Sequence, residues 1–155
     1  MDGITLVTLL EDLLDAAVAS IGVTAPARQF VAHGSNALDC EHVSVEIVDA
    51  SVSPIDPAMC AGIDTITFAV EVVRCYIAAT GDNPIPAASG IGADSYTIAF
   101  DLGALMGGLG DRWEAGTLFP SLPALDCGQV QIIGAQPVGP ECGYAGWRLT
   151  VTVQP

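Results

Sequence analysis

A chain of 155 residues, 51% of them apolar, has room for one domain with its own core and little more. Its 18 acids face only four basic residues, all arginine (Arg28, Arg74, Arg112 and Arg148), for a formal charge of −14. That balance excludes a protein that wraps nucleic acid or lies on an anionic membrane, because both functions need clustered cations.

The missing lysines are equally what codon usage in a GC-rich genome produces. The first twenty residues are apolar but have no basic start, and Glu11, Asp12 and Asp15 interrupt them. Neither a signal peptide nor a membrane-spanning helix is therefore expected, and the chain is expected to be intracellular when made.

Residues 4–21 predict an amphipathic helix. Val7, Leu10, Leu14, Ala17, Val18 and Ile21 recur at helical spacing, and Leu6, Leu9 and Leu13 widen the stripe. Asp2 is placed to cap its first turn and Gly22 to stop it. Residues 23–42 read as extended or looped. The stretch 43–53 then alternates as a strand, with Val43, Val45 and Ile47 on one face. After a Pro- and Gly-containing loop at 54–63, residues 64–79 give the strongest strand pattern, with Ile66, Phe68, Val70 and Val72 on one face. Two adjacent runs joined by about ten residues pair most economically as an antiparallel hairpin.

Pro84 and Pro86 make 81–92 a linker. A second helix is expected to begin near Asp94 or Ser95, with Ile98, Leu102, Leu105, Met106, Leu109 and Trp113 as its stripe. Gly103, Gly107, Gly108 and Gly110 each cost that helix about 1 kcal/mol relative to alanine. They point to close backbone packing, or to fraying after Met106. Residues 114–128 read as a loop, followed by strands at 129–136 and 146–154, with 137–146 as a protruding hairpin tip. The expected fold is a single α+β domain over 1–155 in the order α-β-β-α-β-β. Two helices cover a two-layer, four-stranded, mostly antiparallel sheet.

The chemistry-bearing residues are few. His33 lies near Ser35, but no G-x-S-x-G elbow accompanies them. Five cysteines form an odd set without a C-x-x-C pair, so buried thiols are the default. The expected hairpin does bring Cys40 within a residue or two of Cys75. That leaves open a zinc site from Cys40, His42, Cys60 and Cys75, or a cross-strand disulfide. GIGADS at 90–95 reads as a helix entry capped by Asp94, since it lacks the lysine of a phosphate loop. Arg74 and Arg148, late in two strands among apolar neighbours, are expected to pair with carboxylates.

Three segments carry a likeness: DCEHVSV at 39–45, FAVEVVRCYIAAT at 68–80 with its Val-Val-Arg-Cys core, and GYAGWRLTVTV at 143–153. Together they resemble the tail terminator proteins of long-tailed phages that infect actinobacteria, and the element order matches over most of the chain. The resemblance implies a ring, typically a hexamer, at the virion neck, built from chains made in the host cytoplasm. Such a ring sits on the last ring of tail tube protein, stops tube growth and meets the head-completion protein above. It performs no catalysis and needs no cofactor, and DNA passes through its bore without specific binding. Six copies at −14 each amount to about −84. Acids lining the bore would repel phosphates over a screening length of about 8 Å.

Loops 54–63, 81–92, 114–126 and 137–146 are the expected assembly contacts, with Ile85, Phe119, Val138 and Tyr144 as apolar tips for partners to bury. Three other readings stand beside this one. A head–tail stopper or connector ring shares its class. The others are a small zinc module or enzyme using Cys40, His42, Cys60 and Cys75, and a stand-alone ligand-binding domain.

Overall fold

The computed structural model describes residues 3–32, 41–51, 65–75, 88–123, 125, 128–141 and 143–154. Helix α1 (Gly3–Ile21) leads through a 3-10 turn (Gly22–Thr24) into β1 (Arg28–Val31), β2 (His42–Ser51) and β3 (Thr65–Cys75). Helix α2 (Ala88–Glu114) follows, then β4 (Val130–Glu141) and β5 (Tyr144–Val153). The strands form one sheet in the order β1-β2-β3-β5-β4. The α+β class is as expected, but the sheet has five strands and is mixed. The extra strand is β1, which pairs parallel to β2 from Arg28↔His42 to Val31↔Val45. Four residues beginning Arg-Gln are too few to show alternation, so 23–42 read only as extended or looped. The Asp2 cap lies outside the described residues.

The β2–β3 hairpin is antiparallel, with Val43 opposite Val72 and Val45 opposite Val70. A register shift between Ile47 and Asp49 turns the end of β2 outward. Ile47 stands opposite Phe68, on the face expected, but at the end of the covered part of the strand it is exposed, as is Val48 at the shift. Val43, Val45, Ile66, Phe68, Val70, Val72, Leu149, Val151 and Val153 are fully buried on the face the helices cover. Each contributes about 1.5–3 kcal/mol by leaving water.

Helix α1 packs on β1, β2 and β3, while α2 packs on β3, β5 and β4 and also against α1. The α1 core row is Leu9, Leu13, Ala16, Ala17 and Ile21, with Leu10 at its edge and Val7 exposed. The apolar stripe is thus rotated from the Val7–Leu14 row. Both rows are apolar, so periodicity could not choose between them; packing against the sheet and α2 does.

Helix α2 starts at Ala88, well before Asp94, and runs unbroken to Glu114. GIGADS therefore lies inside the helix, not at a capped entry. One of its glycines has a clear packing role. A Cβ on Gly108 would lie 2.3 Å from Ser20 Oγ and 2.5 Å from Ser20 Cβ, so α1 and α2 touch there. Cβ atoms on Gly103, Gly107 or Gly110 would meet open space. The Trp147 indole Nε1–H donates to the Ile98 carbonyl at 2.9 Å and fixes α2 to β5. Where that strand begins, a Cβ on Gly146 would lie 1.9 Å from the Val72 carbonyl oxygen, so only glycine fits between β5 and β3.

The stretch 137–146 is not a protruding tip. β4 and β5 continue through it and pair from Val138↔Gly146 to Glu141↔Tyr144. Gly143, at φ +84°, supplies the left-handed residue that a two-residue hairpin turn demands. Among the described residues no helix is long and apolar enough to cross a membrane.

Candidate assembly surface

Of the four apolar tips expected to meet partners, Ile85 lies outside the described residues and none of the other three is an exposed tip. Phe119 is buried at 3% exposure with Leu118 at 2%, both inside the chain's own core. The segment carrying them is tied back to α1, because Ser121 donates to the Asp12 carboxylate from its backbone N at 3.0 Å and its Oγ at 2.9 Å. Burying a Phe ring locally is worth more than holding it out for a partner, so this stretch folds onto its own domain. Val138 sits half-buried in β4 opposite Gly146, and Tyr144 half-buried in β5 opposite Cys75 and Glu141.

The exposed apolar side chains lie elsewhere. Tyr96 is 81% exposed and Phe100 61%, one turn apart on the outer side of α2. Met106, Val23 of the 3-10 turn, and Ile133 in the bulged part of β4 are exposed too. Thr24, Tyr96, Thr97 and Phe100 line an open groove of about 530 Å³. The available signal was that Tyr96 and Phe100 fall off the Ile98–Leu102–Leu105–Leu109 stripe at 100° per residue, which leaves two aromatics with no core to enter.

The two strand arginines form internal ion pairs, as expected from their apolar settings. Arg74 reaches from β3 to α2, where its Nε and Nη2 donate to the two Asp101 carboxylate oxygens at 2.7 and 2.9 Å. Nη1 donates to Glu41 at 3.2 Å and Nη2 also to the Thr24 carbonyl at 2.7 Å. Glu41 in turn accepts the Cys75 backbone N–H at 3.1 Å. Hydrogen bonding to Asp101 raises the Arg74 pKa above its already high ordinary value, outweighing the opposing effect of burial. One guanidinium thus joins β3, α2, the 3-10 turn and the entry to β2.

On the other face of the sheet, Arg148 donates to Glu71, its cross-strand neighbour, at 3.2 Å. It also makes a short hydrogen bond to Glu46 on β2. Both glutamates are buried. Each of these arginines is therefore held by two carboxylates, and each cluster keeps a net charge of −1. Arg28 is exposed and Arg112 half-buried.

Of the cysteine readings left open by the sequence, Cys75 follows the disulfide. Cys75 is exposed and disulfide-bonded, not a buried thiol, and so has no thiolate to give a metal. His42 is buried, with its ring centroid 5.4 Å from that of Phe30. Cys40, Cys60, Cys127, Cys142, His33 and Ser35 lie outside the described residues. Among the described residues no three His, Cys, Asp or Glu side chains gather as metal ligands would.

No protein-family model matches the chain, and no curated protein matches it either. The chain offers two internal ion-pair clusters, an acid-dominated composition, and exposed apolar side chains of which the two aromatics, Tyr96 and Phe100, both lie on α2.

Proposed function

We propose that the chain is a structural subunit of a phage neck, most specifically the tail terminator. Copies form a ring, taken to be a hexamer, that caps the tail tube protein and joins the head-completion protein in the virion. DNA passes through the acidic bore without specific binding. The observation that carries the reading is where the three resembling segments fall. Residues 42–45, 68–75 and 144–153 lie on β2, β3 and β5, which are consecutive neighbours in the sheet. A likeness spread over unrelated surface turns would have no such unity.

The charge arrangement supports the same reading. Arg74 and Arg148 are each held between two carboxylates, so Arg28 and Arg112 face the other 14 of the 18 acids (18 − 4). A passing duplex would meet repulsion within about 8 Å of an acid-lined wall. Ring closure further requires two different patches per subunit, each meeting the other on a neighbour.

Deleting the gene from the genome that encodes the chain and imaging the particles tests this. A terminator's loss gives tails of uncontrolled length that fail to join heads. Tails of parental length that stay unjoined would make the protein a stopper instead. Normal tails joined to filled heads would refute a neck role altogether.

A further inference from the structure

We propose that the outer face of α2 docks on the same face of a second copy of this chain, with the helices antiparallel about a two-fold axis near Gly103. At 100° per residue, Tyr96, Phe100, Gly103, Gly107 and Gly110 fall within a narrow strip of the helix. That strip lies directly opposite Leu105 and Leu109, which are fully buried. Its upstream half is a ridge, Tyr96 at 81% and Phe100 at 61% exposure. Its downstream half is a trough, because Gly103, Gly107 and Gly110 have no Cβ and nothing stands within 4 Å of where one would be.

Ridge and trough lie on one strip, so the strip complements itself. An antiparallel copy centred on Gly103 sets residue 96 against 110, and residue 100 against 106 and 107. Each Tyr96 then lies over the other copy's Gly110, and each Phe100 over Gly107. At the axis, glycine meets glycine and the backbones can approach more closely than the usual 8–10 Å between helix axes. The three glycines cost the isolated helix about 1 kcal/mol each. Gly108, which admits Ser20, has a use within the monomer; these three acquire theirs in the pair.

Charge does not oppose the pairing at this strip. Two copies at −14 repel each other almost everywhere, and contact is favoured where a surface carries no charge. From Ser95 to Gly110 the only charged residue of α2 is Asp101, which is 1% exposed and paired with Arg74. The next acid on the strip is Glu114. In the antiparallel pair the two Glu114 positions stand about 33 Å apart, beyond the screening length of about 8 Å.

The area is modest. Aromatic side chains at these exposures, with the glycine backbone they cover, bury roughly 700–800 Å² over both copies, which places the pair in the transient class. This contact does not rest on the ring reading, since a two-fold pair closes at two copies and a ring needs different patches.

Sedimentation equilibrium of the intact chain over a concentration series tests the inference. The expected result is a monomer–dimer equilibrium that tightens as salt is raised, because screening relieves like-charge repulsion and leaves the apolar contact intact. Phe100→Glu and Gly107→Leu should each weaken it at least tenfold while keeping the parental circular dichroism, since both sites are on the exposed face. A chain that stays monomeric at every concentration overturns the pairing and leaves the neck reading standing. A dimer or larger ring indifferent to both variants overturns it as well.

Discussion

Replacing Gly103 and Gly108 by alanine, one at a time, should move stability in opposite directions although both are glycines of one helix. In either place alanine relieves about 1 kcal/mol of helix propensity cost. At Gly103 the new methyl enters open space, so the gain is kept. At Gly108 it would lie 2.3 Å from Ser20 Oγ, 2.5 Å from Ser20 Cβ and 3.1 Å from Ser20 Cα. Rotating the hydroxyl away breaks its 2.7 Å hydrogen bond to the Ala16 carbonyl and still leaves Cβ and Cα in the way. The helices must separate, at a cost of about 1–3 kcal/mol typical of overpacking, with loosening of the Leu13–Leu109 region beside them. The two variants should differ by about 1–3 kcal/mol. For a chain of this size that is a gap of roughly 2–12 °C between their melting temperatures. Calorimetry in dilute solution reads it directly. Ser20→Gly combined with Gly108→Ala should recover most of the loss, because it moves the methyl from one helix to the other. Equal stabilisation by both alanines would refute the α1–α2 contact.

Four further outcomes follow from the same contacts. Gly146→Ala should prevent stable folding or cost more than about 3 kcal/mol in urea unfolding, since its methyl meets the Val72 backbone, which cannot swing aside as a side chain would. Asp101→Ala should cost up to about 3–5 kcal/mol by leaving buried Arg74 only the part-exposed Glu41 as a carboxylate partner, while Arg74→Met with Asp101→Leu should restore most of it. The raised Arg74 pKa contributes stability at all pH values below the unfolded one and loses it only as pH climbs through the folded one, so melting should show no step from this group through the neutral and mildly alkaline range. Thiol titration of the denatured, unreduced chain should find at most three sulfhydryls, five cysteines less Cys75 and its disulfide partner, and five would contradict the bond.

Much of the fold was legible because its long elements carry unambiguous periods. The alternation of Ile66, Phe68, Val70 and Val72 located β3, and the spacing across the loop before it set the hairpin register. The two strand arginines were legible as ion-pair partners from their apolar neighbours alone. What escaped did so for local reasons. β1 is four residues long and draws its stability from β2, a non-local pairing that composition does not reveal. The β4–β5 hairpin runs through Pro137, Gly139 and Pro140, residues that normally signal a loop, because bulges in β4 absorb them. Phe119 read as a tip because loop residues lack a period, and only the Asp12–Ser121 tether shows which way the segment folds. The exposed aromatics of α2 were present in the pattern as residues off the stripe, but the stripe itself drew the reading inward.

The central claim, that this acidic chain forms a DNA-conducting ring at a phage neck, is tested most directly by cryo-electron microscopy of particles from the genome that encodes it. The account predicts density for repeated copies of the five-stranded sheet and its two helices between tail tube and head, with carboxylates facing the bore. Particles lacking the chain, or a ring whose bore is lined by Arg28 and Arg112, would contradict it.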